Sequence, residues 1–337
     1  MRLLLKNIFM KNKIEDIQAQ RFSQLFYERL YSVAKEESLI IFIGAGVSKI
    51  GGSLLWIELA KNLTDDLSKK KWINEIDAKI LREWSATNPR KTISICFKRC
   101  DSPEKKSYLF GCIKKYCTCS DIKKTNDIYN LLLAFEAKAY VTTNIGTELL
   151  ESLPSLNRSK IFNCTREDHL QRIERDPNVI QNGNIFYLHG DVDNLEKTIF
   201  CIDSYINHYK TPAVIKLLSQ IFSPNHTILF IGYTLSELEI LEHLIRKSRA
   251  ELKTSPRNFV LVPVRREEIP KERLNIDYYH YFDLSVELYE VGTGKNVNYG
   301  KLHDVIREIQ QWFDPHRPKV LDVFNRIDEV LEGNVNN

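Results

Sequence analysis

The sequence predicts a doubly wound, mostly parallel α/β sheet with a helical insertion and C-terminal helices. Three observations predict it. Short apolar runs rich in β-branched residues recur along the chain without polar alternation, as strands buried on both faces of a parallel sheet do. Amphipathic segments of helical period separate them. The first run passes directly into a Gly-x-Gly turn, the chemistry of a strand-to-helix junction at a ligand-binding sheet edge.

Residues 1–10 are apolar and basic, but Lys6, Lys11 and Lys13 break the run and no small-residue cleavage site follows, so they read as the start of a strand or helix. Ile17, Phe22, Leu25, Phe26, Leu30 and Val33 give residues 14–37 a helical period that ends at Ser38. The first strand is Leu39–Ile43, and later ones are expected at 139–143, 185–188, 227–231 and 259–262. Helices are expected at 54–68, 128–138, 203–222 and 235–250. Residues 67–127 break the alternation with charge and helical period, so they form a mostly helical insertion. A strand-like segment around 280–290 precedes two tail helices at 302–313 and 318–332. The domain scheme is an N-terminal helical segment at 1–36, the sheet domain at 37–290 and a helical tail at 291–337.

Of 337 residues, 43% are apolar and 27% charged, which excludes disorder for most of the chain. The 48 basic and 44 acidic residues are interspersed, so no polycationic field forces contact with nucleic acid or an anionic membrane. Arg246, Lys247 and Arg249 lie at a helix end behind Glu237, Glu239 and Glu242, the arrangement a helix dipole favours. The longest apolar stretch, Leu39 to Val47, falls short of the roughly 20 residues that cross a bilayer.

Seven cysteines and no signal peptide point to free thiols in the reducing cytoplasm. Cys96 and Cys100, with Cys112, Cys117 and Cys119, lie in one stretch and raise the question of zinc. Their spacing makes no clean second pair, so buried thiols and no metal are expected. Trp56, Trp72 and Trp84 fall in helical segments and read as packing residues.

Chemistry concentrates at the strand ends. Small residues in Gly44-Ala45-Gly46-Val47-Ser48 let backbone N–H groups approach a phosphate. It is not a Walker A loop, because Gly52 stands at the lysine position, and Lys49 stands at the third glycine of a dinucleotide-binding turn. Thr142-Thr143-Asn144, His189-Gly190-Asp191 and Gly232 through Ser236 end other strands and share that edge. His189 follows its apolar run beside Gly190, where a side chain reaches solvent, and with Asn144 it is expected to be functional. Asp191 reads equally as a turn cap or an orienting group.

These four segments, in this order and spacing, resemble the sirtuin-like domain family over roughly residues 37–265, most closely its bacterial branch of NAD-hydrolysing anti-phage effectors. Gly52-Ser-Leu-Leu-Trp56 is similar to that branch's Gly-x-Pro-Ser-Trp segment. The resemblance implies a Rossmann-like, sirtuin-like fold with NAD⁺ as substrate and no metal. Gly44, Ala45, Gly46 and Ser48 would hold the diphosphate. Gly232 and Ser236 would lie at the adenosine end, Asn144 and His189 at the nicotinamide ribose, and Thr143 and Asp191 nearby. The implied reaction is cleavage of NAD⁺ to nicotinamide and ADP-ribose, with Asn144 holding a ribose hydroxyl or water and neutral His189 accepting a proton.

Departures from the pattern limit the readings. Only Cys201 follows position 189, so the paired-cysteine zinc module of the deacylating members is missing, and deacylation is disfavoured. Gly146 holds the place of the family's Asp, two residues after Asn144. Either NAD⁺ binding is weakened, or Asp191 or Glu148 takes that role. The rivals to hydrolysis are a module that senses NAD⁺ or ADP-ribose without turnover, and a protein ADP-ribosyltransferase. The resemblance also implies a homo-oligomer, or a partner of the HerA-type ATPase or short Argonaute kind. Candidate contact faces are Phe22, Phe26 and Leu30 on the first helix and Val320, Val323, Phe324, Ile327, Val330 and Leu331 on the last.

Overall fold

A computed structural model describes residues 22, 24–153, 159–181, 183–233, 235, 240–244, 258–294 and 296–313. The reading of residues 1–10, the start of the 14–37 helix, Ser236, the basic group at 246–249 and the 318–332 helix lie outside these residues.

Helix α1 (Gln24–Lys35) leads into β1 (Leu39–Ile43), whose five residues are all buried. Four helices follow: α2 (Trp56–Lys69), α3 (Glu75–Thr87), α4 (Pro89–Arg99) and α5 (Pro103–Cys117). Their starts are written locally. Asn74 Oδ1 accepts from the Asp77 N–H, Ser102 Oγ from the Lys105 N–H, and Pro89 and Pro103 occupy first-turn positions that need no N–H partner. Next come α6 (Ile122–Leu133), β2 (Ala139–Thr142), β3 (Ile161–Asn163), α7 (Glu167–Arg175) and β4 (Asn184–Tyr187). The chain continues through α8 (Ile202–Tyr209), α9 (Pro212–Ile221), β5 (Thr227–Ile231), β6 (Asn258–Arg265), α10 (Ile269–His280), β7 (Leu284–Thr293), β8 (Asn296–Val297) and α11 (Lys301–Gln311).

The sheet order is β3-β4-β2-β1-β5-β6-β7-β8, parallel throughout except for the β7–β8 pair. From β1 the chain works outward through β2 to β3 and β4, then returns to β5 on the other flank. The order therefore reverses between β1 and β5, and their carboxyl ends form the switch point where such sheets bind ligands.

Alternate residues of β1 enter opposite layers, which is why the run carries no polar alternation. Ile40 and Phe42 pack with Val141, Phe186 and Phe230 under α9 (Val214, Leu217, Leu218). Leu39, Ile41 and Ile43 pack under α1, α6 and α11 through Tyr27, Leu30, Ile128, Leu132, Val305 and Ile309. A third core belongs to α2–α5 (Leu59, Leu63, Leu81, Ile93, Leu109, Ile113), and it includes Ile145, Val192 and Phe200 from the segments after β2 and β4. The insertion thus sits against the carboxyl edge of the sheet.

The sequence-derived elements differ from the structure in places. The expected 203–222 helix is two, because Thr211-Pro212 opens α9 with a proline that cannot continue α8. The helix expected at 128–138 runs from 122 to 133 instead, and of 235–250 only residue 235 and residues 240–244 are described, the latter as helix. β3, α7, α10 and β8 were not anticipated.

Candidate functional site at the sheet switch point

Two turns meet where the strand order reverses. After β1 the chain makes a helical turn at Ala45–Ser48, and Gly232 follows β5 in the left-handed region at φ +64°. The Gly44 N–H donates to Ile231 O at 2.9 Å, the Gly46 N–H to Gly232 O at 2.9 Å, and the Val47 N–H to Gly44 O at 3.1 Å. A Cβ on Gly44 would lie 2.3 Å from Gly232 O, and one on Gly46 would lie 2.8 Å from Gly232 Cα. These glycines are therefore set by the approach of two backbones. Gly44, Gly46 and Val47 spend their N–H groups inside the protein, so the expected phosphate cradle cannot be built from those three donors in this conformation.

Asn144 joins the first turn to β2. Thr142 Oγ1 donates to Ile43 O at 3.0 Å and accepts from the Asn144 N–H at 3.0 Å. The Asn144 amide nitrogen donates to Gly44 O at 2.9 Å and Ser48 Oγ at 2.9 Å, with Tyr129 OH at 3.4 Å. Because a carbonyl only accepts, the bond to Gly44 O fixes which way the amide faces. Its Oδ1 is then left buried with no hydrogen-bond partner among the described residues, and the residue is 9% exposed. Tyr129 and Ser48 complete the network at 2.9 Å, and burial pushes the Tyr129 hydroxyl well up, so it stays a phenol.

Asn144, Thr143, Ser48 and Ser53 form the polar side of a cavity of about 30 Å³; Ala45, Leu54, Trp56, Leu59, Ile145 and Phe200 form its apolar side. That volume holds one or two water molecules. It is far below the several hundred Å³ that enclose a ligand of drug size. Sequence reasoning missed Tyr129, Ser53 and Phe200. A tyrosine on an apolar helix face carries no signal of its role, and Trp56, read as packing, also walls the cavity.

His189 stands apart from this cavity. The expectation that it reaches solvent is corrected: it is 1% exposed, because α8 lays Tyr205, His208 and Tyr209 around it. Its Nε2 is 3.0 Å from Tyr209 OH, and the Arg90 guanidinium stacks 3.7 Å from the Tyr205 ring. Burial, reinforced by the Arg90 charge, pulls His189 down to about 3, and burial does the same to His208. Asp191 is bound on both oxygens, to Asn163 Nδ2 at 2.7 Å and the Asp193 N–H at 3.0 Å, the turn-capping role. Thus Gly44, Ala45, Gly46, Ser48, Thr143, Asn144 and Gly232 converge at the switch point, while His189 and Asp191 face other partners after β4.

The seven cysteines are free, and among the described residues no group of three or more His, Cys, Asp or Glu side chains is placed to hold a metal ion. No described helix is long and apolar enough to cross a membrane. Trp72 packs edge-on against Tyr108 as expected, whereas Trp84 is an exposed residue that carries the Lys91 ammonium over its ring at 3.7 Å.

Comparison with protein families finds a match within this chain. Residues 138–281 match the SIR2-like domain. The matched span contains β2 through α10, and with them Asn144, His189, Asp191 and Gly232. SIR2-like domains are commonly NAD-dependent enzymes, so the match suggests an NAD-related activity. No curated protein matches the chain. The donor set agrees with such a ligand on one point that the structure supplies: Asn144 Oδ1 is a buried acceptor at the cavity, suited to a ribose hydroxyl, a carboxamide N–H or a water.

Proposed function

We propose that this chain is an NAD⁺ glycohydrolase that cleaves the bond between nicotinamide and ribose to give ADP-ribose. The observation that carries the reading is Asn144 Oδ1, a lone acceptor beside a cavity of water size at the reversal point of a SIR2-like sheet. Cleavage builds positive charge on the ribosyl carbon, so the site has to orient the ribose and hold a water near it. Asn144 is preorganised for this, since three donor–acceptor contacts lock its amide before any ligand arrives. Ser48, Ser53 and Thr143 give the water further partners. When bound, NAD⁺ supplies nicotinamide as a leaving group that is already positively charged.

His189 contributes less directly. Its burial keeps it neutral, the form that accepts a proton, but a group so hard to protonate is a weak base near pH 7. Its buried bond to Tyr209 supports the second reading, a module that holds NAD⁺ or ADP-ribose without turnover and gates a partner. On the glycohydrolase reading, the resemblance extends to an anti-phage effector in the cytoplasm that depletes NAD⁺ when triggered. Self-assembly, or a HerA-type ATPase or short Argonaute, would then control it. Exposed Ile76, Ile80 and Trp84, aligned at i, i+4 and i+8 on α3, support self-assembly.

The test is nicotinamide release from NAD⁺ by the purified chain beside Asn144→Ala and His189→Ala. Release that falls about 100-fold or more in Asn144→Ala, with NAD⁺ binding retained, supports the hydrolase. Binding without release in the wild type selects the sensing module. Transfer of labelled ADP-ribose to protein would select a transferase.

A further inference from the structure

Two residues beyond Gly146, the chain turns back on itself at Glu148, the first residue of a single helical turn (Glu148–Glu151). Glu148 is 4% exposed. Its Oε1 accepts from the Cys119 N–H at 2.9 Å, whereas Oε2 is buried with no hydrogen-bond partner among the described residues. Its charge adds to the burial that pushes up Cys117, Tyr129 and Tyr187, none of them a cation. A carboxylate kept out of water with half its acceptor capacity unused is a costly arrangement, and each such group requires an explanation.

The position of that carboxylate supplies one. A Cβ on Gly146 would lie 2.0 Å from Glu148 Oε2 and 2.7 Å from Cδ, so the carboxylate fills the space of a side chain at 146. Gly146 itself lines the cavity, next to Asn144 with its own unpartnered oxygen. Its φ lies outside the left-handed region, so the backbone alone does not call for glycine there. The glycine makes room for the carboxylate.

We infer that Glu148 is the acidic recognition group of this site, set over Gly146 in place of a side chain at that position, to accept an N–H or O–H of the ligand. The assignment rests on the NAD⁺ reading, under which the donor belongs to the nicotinamide half and the negative charge also suits its positive ring. Asp191, the other carboxylate in the neighbourhood, has both oxygens engaged elsewhere. Glu148 acts by binding and positioning, and no bond to it is made or broken.

The experiment is titration calorimetry of the full chain with NAD⁺, using wild type, Glu148→Gln, Glu148→Ala and Gly146→Asp/Glu148→Ala, with a thermal melt of each. Glu148→Gln keeps the shape and the acceptor for Cys119, so it should melt near the wild type yet bind NAD⁺ about 10- to 100-fold more weakly. The double variant moves the carboxylate to position 146 and should recover most of the affinity lost in Glu148→Ala. Wild-type affinity in Glu148→Gln, or a double variant no better than Glu148→Ala, overturns the assignment and leaves the NAD⁺ reading standing. No NAD⁺ binding by the wild type removes both.

Discussion

Replacing Gly44 by alanine tests how the two turns at the switch point are joined. The new Cβ would meet three backbone atoms, Gly232 O at 2.3 Å, Tyr233 Cα at 2.6 Å and Gly232 C at 2.7 Å, where ordinary contact begins near 3.4 Å. No side chain can rotate away, so the turns must separate by about 1 Å, the gap between those distances. That displacement stretches the Gly44 N–H to Ile231 O and Gly46 N–H to Gly232 O bonds, each 2.9 Å now. Losing two backbone hydrogen bonds at about 1 kcal/mol each, with overpacking of about 1–3 kcal/mol, gives a destabilisation of about 3–5 kcal/mol. Urea unfolding followed by circular dichroism measures it. The matched control is Gly111→Ala, at an α5 position where a Cβ meets nothing within 4 Å; it should stabilise by about 0.5–1 kcal/mol. A Gly44→Ala variant within 1 kcal/mol of wild type would refute the packing argument.

Other outcomes follow from the same geometry. His189 and His208 are held near 3 when folded and titrate near 6.5 when unfolded, so between those values the unfolded chain binds more protons. Their stabilisation is complete above about pH 6.5 and is lost as pH falls toward 3, by up to about 1.4 kcal/mol per unit for each ring; urea midpoints at pH 7 and pH 5 should show the loss, and His189→Gln should reduce it. Burial pushes the Cys96 and Cys117 thiols up to about 12 and Cys100 up to about 11, so iodoacetamide at pH 8 should leave all three unmodified until urea is added, read by mass spectrometry. Chelation with EDTA should leave the melting temperature unchanged, as expected of cysteines that pack rather than ligate.

What was legible in the sequence was mainly what hydrophobic patterning encodes. Leu39–Ile43 and Thr227–Ile231 announced themselves because strands buried on both faces must be apolar at every position. α10 did not, because none of its residues is buried and no apolar face marks it. β3 and β8 are three and two residues long, too short to show a period. Within the site, Asn144 and the glycine turn were legible because they end strands at one edge. The sequence does not encode which way a polar side chain turns, so His189 read as solvent-reaching although the tyrosines of α8 enclose it. Tyr129 is two residues past the end of the insertion read at 67–127 yet touches Ser48, a contact made by the packing of α6 against the turn after β1.

The most direct measurement is turnover of NAD⁺ by the purified chain in oxygen-18 water, wild type beside Asn144→Ala, with products resolved by mass spectrometry. The account predicts free nicotinamide and ADP-ribose carrying one heavy oxygen in the wild type, and neither product above background in Asn144→Ala. Equal yields from the two proteins, or no labelled ADP-ribose from wild type that binds NAD⁺, would contradict it.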